Sequence, residues 1–188
     1  MNYSIKLSAL LLLGVLSCTN HSNPSNAQVN KVRDITPPKV LMVNSKEHYF
    51  SNLKTKDIFK ISLIGDSVYS GKILLEVFNH GNKRLFADTF PAFDLLGDLD
   101  DSTFSLKHKE DSIKMRMKDF FAEDNFVQPA VTDADSAFWD DNTDMKELEE
   151  IKKDTSAIGF VYSHGYEGTY YIGYLKRAKK VVTYLSHD

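Results

Sequence analysis

The chain has 188 residues, with 23 basic and 26 acidic side chains and a formal net charge of −3 at pH 7. Hydrophobic residues make up 42% and aromatic residues 12% of the chain, a profile that predicts a packed core rather than disorder. Its mildly acidic balance lacks the basic patch expected of a protein that binds nucleic acid. Cys18 is the only cysteine, which excludes a disulfide, a cysteine-based metal site and a cysteine nucleophile from the folded part.

Residues 1–17 have the layout of a secretory signal peptide. Lys6 precedes the apolar run at residues 7–16, and small residues surround the end of that run. The run is shorter than the roughly 20 residues that a helix needs to cross a bilayer. We therefore predict a cleaved leader rather than a membrane span.

The leader ends in Val15-Leu16-Ser17-Cys18, which resembles the lipobox of bacterial lipoproteins. The resemblance covers the leader only. It implies cleavage before Cys18, lipidation of Cys18 and a membrane-anchored mature protein, and Thr19 in place of an aspartate favours the outer membrane. The alternative is an ordinary cysteine near the cleavage site of a soluble secreted protein.

Residues 18–38 predict a lipidated cysteine followed by a flexible tether. The segment is rich in Asn, Ser and Pro, so it can bury too little apolar surface to offset its ordering entropy. Pro37-Pro38 marks the predicted boundary. Residues 39–188 then form a single globular domain.

The first half of this domain reads as an antiparallel meander. Residues 40–43 predict a short strand, and residues 46–53 predict a helical turn or a loop. Alternating apolar positions predict strands at residues 58–64, 72–78 and 84–90. A hairpin turn is expected at Asn79-His80-Gly81-Asn82, because Gly and Asn tolerate positive φ.

Helices follow, and then a second meander. Ser105 is a candidate N-cap for a helix to about Phe121, whose apolar stripe is Ile113, Met117, Phe120 and Phe121. A second short helix is expected around residues 145–151, and strands at residues 158–163, 169–175 and 180–185. The predicted fold is α+β, an antiparallel sheet of about six strands (two meanders) with a helical insertion packed on one face.

Three patterns suggest chemistry and are weak when tested. Ile64-Gly65-Asp66-Ser67-Val68 resembles the nucleophile block of the GDSL hydrolases, but that family's downstream Asn and His blocks are missing, so a turn is the preferred interpretation. The acidic residues Asp133, Asp135, Asp140, Asp141 and Asp144 fail the calcium-loop pattern of the EF-hand. The six histidines form no zinc-binding pair, and His80 and His164 fall in predicted turns, where solvent contact is expected. No catalytic residue, metal site or cofactor is predicted.

Tyrosines crowd the last three strands, and ordinary strand propensity is the simpler explanation. The functional hypothesis is a contact surface formed by Tyr170, Tyr171 and Tyr174 around Gly173, where the missing side chain would let a ligand or a backbone approach. The sequence thus favours a lipid-anchored protein of the cell envelope with a non-catalytic binding domain, whose partner is a protein, a peptide or a glycan. The alternative is an envelope hydrolase with a dispersed active site.

Overall fold

The computed structural model describes residues 38–139 and 144–187. Within these ranges the strands are β1 Val40–Tyr49, β2 Lys56–Ile64, β3 Lys72–Phe78, β4 Arg84–Pro91, β5 Phe126–Val127, β6 Gly159–Ser163, β7 Thr169–Leu175 and β8 Lys180–His187. The α-helices are α1 Leu106–Asp119 and α2 Met145–Lys152, and shorter 3-10 helices span Ala92–Leu99, Glu123–Asn125 and Asp133–Phe138. The predicted leader, Cys18 and all of the predicted tether except Pro38 lie outside the described residues.

The strands form two antiparallel sheets of four, in the orders β1-β2-β3-β4 and β5-β6-β7-β8. The α+β class is as predicted, whereas one sheet of about six strands is corrected to two sheets. Each predicted meander forms a separate sheet. The strand predicted at residues 40–43 runs on to Tyr49 as β1 and pairs with β2, and the unpredicted two-residue β5 pairs with β6.

In the first sheet, alternation decides which side chains point inward. The register pairs Phe59 with Val77, Ile61 with Leu75 and Leu63 with Ile73. All six of these side chains are fully buried. The predicted strands β2 and β3 are therefore confirmed, since residues two apart share one face of a sheet.

The main core contains side chains of both sheets and of α1. The Phe59 ring of β2 lies 5.0 Å from the ring of Phe126 in β5 and 5.1 Å from that of Phe160 in β6. Fully burying one such ring contributes about 1.5–3 kcal/mol. The inner faces of the two sheets are thus held together largely by aromatic contacts.

Helix α1 enters this core through its predicted stripe. The Ser105 side chain accepts a hydrogen bond from the His108 amide, which confirms the N-cap. Ile113 and Met117 are fully buried. At the other end, the Asn44 side-chain amide of β1 donates to the Met117 carbonyl over 2.9 Å, where carbonyl groups lack partners within the helix. Just past that end, the Lys46 ammonium donates to the Phe121 carbonyl over 2.9 Å.

Helix α2 covers the opposite face of the second sheet and closes a smaller core. Its buried Leu148 and Ile151 pack with Leu175 of β7 and with Tyr184 of β8. The Tyr184 hydroxyl donates a hydrogen bond to the Ala130 carbonyl. The prediction that all helices pack on one face is therefore corrected. Helix α1 packs in the main core, and α2 packs in the smaller core. No helix in the described ranges is both long and apolar enough to cross a bilayer.

Candidate functional site

The candidate site lies where the β6–β7 connection, residues 164–168, meets the 3-10 helix Ala92–Leu99. The His164 amide donates to the Gly168 carbonyl over 3.1 Å and closes this connection into a tight loop. The Gly165 amide donates to the Asp94 carbonyl over 3.0 Å and fixes the loop to the 3-10 helix. Gly165 has φ 78°, a left-handed conformation that residues with a Cβ adopt only at a cost. We call residues 164–168 the His164 loop.

The imidazole of His164 lies between two carboxylates. Its Nε2 is 3.6 Å from Asp88 Oδ2, and its Nδ1 is 3.8 Å from Asp94 Oδ2. The side chain is only 16% exposed, so the expectation of a solvent-facing turn residue is wrong for His164. Both distances exceed an ordinary hydrogen bond, so these contacts are ion pairs when the ring is protonated.

Aromatic rings hold this imidazole in place. The Phe90 ring lies 4.1 Å from the His164 ring at 5°, and the Tyr170 ring lies 4.4 Å from it at 8°. The imidazole is thus in nearly parallel contact with one ring of β4 and one of β7. Burial among rings strengthens its attraction to the two carboxylates, because little water screens them.

The two carboxylates have opposite electrostatic surroundings. Interaction with His164 holds the pKa of Asp88 below its usual range, although burial alone would raise it. Hydrogen bonds from the Tyr162 hydroxyl, over 2.8 Å, and from the Thr89 amide act in the same direction. Burial raises the pKa of Asp94, with His164 acting against that rise. Asp88 is therefore kept ionised, while Asp94 takes up a proton more readily.

A cleft of about 250 Å³ opens beside this cluster. The residues that line it include Asp94, Glu167 and Arg116 of α1. Tyr166, at the tip of the His164 loop, is 74% exposed, the largest exposed fraction among the large hydrophobic side chains of the described residues. A second depression, of about 420 Å³, contacts the same loop and reaches Tyr170. We call the first of these the loop cleft.

The three sequence-predicted tyrosines lie in different surroundings. Tyr170, Tyr171 and Tyr174 are each partly buried. Tyr170 contacts His164, Tyr171 packs against the smaller core, and Tyr174 lines a separate cavity of about 260 Å³ beside the turn after β1. Whether any of them contacts a partner stays a prediction.

Gly173 has a packing role. It is buried, and a Cβ placed on it would lie 3.0 Å from the Ile151 side chain and 3.1 Å from the Tyr184 ring. The close approach that this glycine allows is therefore made by the domain's own side chains. Whether a ligand also approaches at Gly173 stays a prediction.

The other patterns take structural roles. Ser67 lies in the β2–β3 turn and its hydroxyl hydrogen-bonds the Ser70 hydroxyl over 2.6 Å. Asp144 caps α2, Asp135 accepts from Thr132, and Asp133 forms an ion pair with Lys152 at 2.8 Å. Asp140 and Asp141 lie outside the described residues. Within residues 38–139 and 144–187, no group of three or more His, Cys, Asp or Glu side chains is arranged to hold a metal ion.

Comparisons with protein-family models, with curated proteins and with solved structures found no match. Sequence patterns do not join Asp88 and Asp94 to His164, because His164 follows Asp94 by 70 positions and Asp88 by 76. The sequence offered one signal, the two carboxylates on either side of Pro91, and no pattern that joined them to His164.

Proposed function

We propose that this chain is a lipid-anchored protein of the cell envelope whose globular domain binds a glycan in the loop cleft. The anchor rests on the lipobox resemblance at Val15-Leu16-Ser17-Cys18 and on the leader before it. Residues 19–37, rich in Asn and Ser, would serve as the tether between lipid and domain.

The observation that carries the binding function is Tyr166, 74% exposed beside a polar cleft. An isolated exposed tyrosine is ordinary, but this one stands on a loop fixed by two backbone hydrogen bonds. A preorganised aromatic ring costs little entropy when a ligand orders it. Tyrosine also offers an apolar ring face and a polar hydroxyl, which suits a ligand that has both kinds of surface.

The polar groups of the cleft favour a glycan as that ligand. Asp94 and Glu167 supply carboxylate oxygens that accept hydrogen bonds from hydroxyl groups, and Arg116 supplies donors. Hydrogen bonds to charged groups are the stronger class. A sugar ring presents hydroxyls around its rim and C–H groups on its face, which matches these walls and the Tyr166 ring. Small-ligand sites usually combine a few precisely positioned polar groups with aromatic rings.

The test is titration calorimetry of the full chain in detergent with short oligosaccharides of N-acetylglucosamine, followed by fragments of purified cell wall. Binding should be lost or weakened about tenfold or more in Tyr166→Ala, a loss of about 1.4 kcal/mol. Tyr49→Ala is the matched control, because Tyr49 is 41% exposed at the end of β1, in a different element. Equal binding by both variants, or none by the parent chain, would contradict the proposal.

The alternative of an envelope hydrolase with a dispersed active site stays a prediction. The carboxylates of Asp88 and Asp94 do not support it, because the His164 ring lies between them.

A further inference from the structure

The His164 loop carries Tyr166 and Glu167, so whatever holds this loop also shapes the loop cleft. Three kinds of contact attach it to the β4 side of the domain. One is the backbone hydrogen bond from the Gly165 amide to the Asp94 carbonyl. The second is the stacking of the His164 ring on the Phe90 ring of β4, 4.1 Å away. The third is the pair of contacts from the His164 ring nitrogens to Asp88 and Asp94, and only this pair depends on protonation.

We infer that His164 is a proton-controlled latch, which holds the loop tightly against β4 and the 3-10 helix when protonated and loosens it when neutral. The positions of the two ring nitrogens support this dependence. A protonated imidazole has an N–H at both nitrogens, and each then faces a carboxylate. A neutral imidazole keeps only one N–H, so its other nitrogen would point a lone pair at a carboxylate oxygen. One of the two attractions is then replaced by repulsion between this lone pair and the carboxylate.

Most of the groups around the His164 ring favour its protonated, positively charged form. The β4 strand presents Asp88, the 3-10 helix presents Asp94, and both favour the charged ring. The Tyr162 hydroxyl of β6 donates a hydrogen bond to Asp88 and leaves that carboxylate negative. Tyr170 of β7 contributes a ring face, which attracts a cation. Among the groups that share the cleft, Glu167 adds to this attraction and Arg116 of α1 opposes it.

The expected consequence is a cleft that is ordered in acid and loosened in base. Histidine side chains ordinarily change charge between about pH 5 and 8. Once the ring is neutral the loop loses one attachment, and Tyr166 and Glu167 lose their fixed positions. Ligand affinity should fall in parallel, by a factor of about 5 to 150, the usual range for a coupling between two sites. This functional part rests on the proposed binding cleft, whereas the latch itself does not.

Hydrogen exchange of the full chain in detergent measures the latch without any ligand. The reporters are the Gly165 and His164 amides, whose acceptors are Asp94 and Gly168. After correction for intrinsic exchange, their protection should drop about tenfold or more between about pH 5.5 and pH 8. In His164→Gln the protection should be low at both values. His80→Gln, a histidine in the exposed β3–β4 turn, should behave as the parent chain.

Asp94→Asn provides an independent variant, in case His164→Gln misfolds by circular dichroism. It removes one of the two negative charges while keeping the side chain's size, so the pH dependence should shrink. Unchanged pH dependence in Asp94→Asn, or in a folded His164→Gln, would overturn the latch. A pH-dependent loop in a chain that binds no glycan at any pH would support the latch and refute the proposed function. Glycan binding by a chain whose loop amides are equally protected at both pH values would support the proposed function and refute the latch.

Discussion

The Tyr162 hydroxyl donates a hydrogen bond to Asp88 Oδ2 over 2.8 Å and thereby joins β6 of one sheet to β4 of the other. Tyr162 is buried, and its ring lies in the main core. Burial and the nearby Asp88 charge raise the pKa of Tyr162 far above its usual range, so the hydroxyl stays a donor. Asp88 is also the carboxylate that faces His164, so this hydrogen bond links the packing of the two sheets to the candidate site.

Tyr162→Phe should destabilise the domain by about 1.5–3 kcal/mol, the usual cost of losing a hydrogen bond to a charged group. The ring remains, so the loss measures the hydroxyl alone. Urea unfolding gives the free energy. Tyr49→Phe is the control, since its hydroxyl lies on a half-exposed side chain. Equal stability of the two variants would mean that the link between the sheets contributes nothing.

Asp88 should make the domain sensitive to acid. Its pKa is lower in the folded chain than the roughly 3.9 of an unfolded aspartate, so its contribution to stability is present above about pH 4. That contribution is lost as the pH falls through the folded pKa. Asp88→Asn should flatten this part of the pH–stability curve, measured as urea midpoints between about pH 2 and 6. Asp66→Asn, in the exposed β2–β3 turn, should keep the parent's slope, and an equally steep slope in Asp88→Asn would refute the assignment.

Strands could be predicted wherever their two faces differ. Phe59, Ile61 and Leu63 share one face of β2 and are fully buried, whereas Ile58, Lys60 and Ile64 on the other face are only partly buried. The strand β1 was cut short at Val43 because its inward side chains further on are polar. Lys46 reaches the Phe121 carbonyl and Glu123, and the His48 ring stacks on Phe126 at 3.9 Å, so polar groups here serve the end of α1.

The division into two sheets could not be predicted from alternation, which reports faces and not neighbours. The contacts between the two sheets include Phe59 with Phe160 and Tyr162 with Asp88, and both join residues far apart along the chain. The candidate site also consists of residues that only the folded chain brings together. His164 looks like a turn residue because only the folded chain brings Phe90, Asp88 and Asp94 to it.

Gly173→Ala should destabilise the domain by about 1–3 kcal/mol through overpacking. The added methyl group would press on Tyr184 and Ile151, which fill the space above β7. Gly81→Ala is the control in an exposed turn, where the nearest atom to the new Cβ is 3.4 Å away, and should change stability by no more than about 0.5 kcal/mol. Thermal or urea melts compare the two, and a tolerated alanine at Gly173 would show that the smaller core can yield there.

Helix α1 offers a pair of methionines that differ in burial alone. Met117 is fully buried and Met115 is 55% exposed. Met117→Ala should cost about 2–5 kcal/mol, because it leaves a cavity in the main core. Met115→Ala should stay within about 0.5 kcal/mol of the parent. Urea unfolding of both variants tests whether the predicted apolar stripe orients the helix, and similar losses would mean that it does not.

Cys18→Ser should release the chain from the membrane, if the lipobox resemblance is correct. Each buried CH₂ of an acyl chain contributes about 0.8 kcal/mol, and one chain alone holds a protein only marginally, so stable anchoring needs the several chains that lipoprotein processing adds. Serine has no thiol to accept the first of them. The measurement is cell fractionation together with incorporation of labelled fatty acid. Ser22→Ala, in the predicted tether, should stay labelled and membrane-bound. A Cys18→Ser chain that remained in the membrane fraction would require another anchor, and one that still took up label would place the lipid on a different residue.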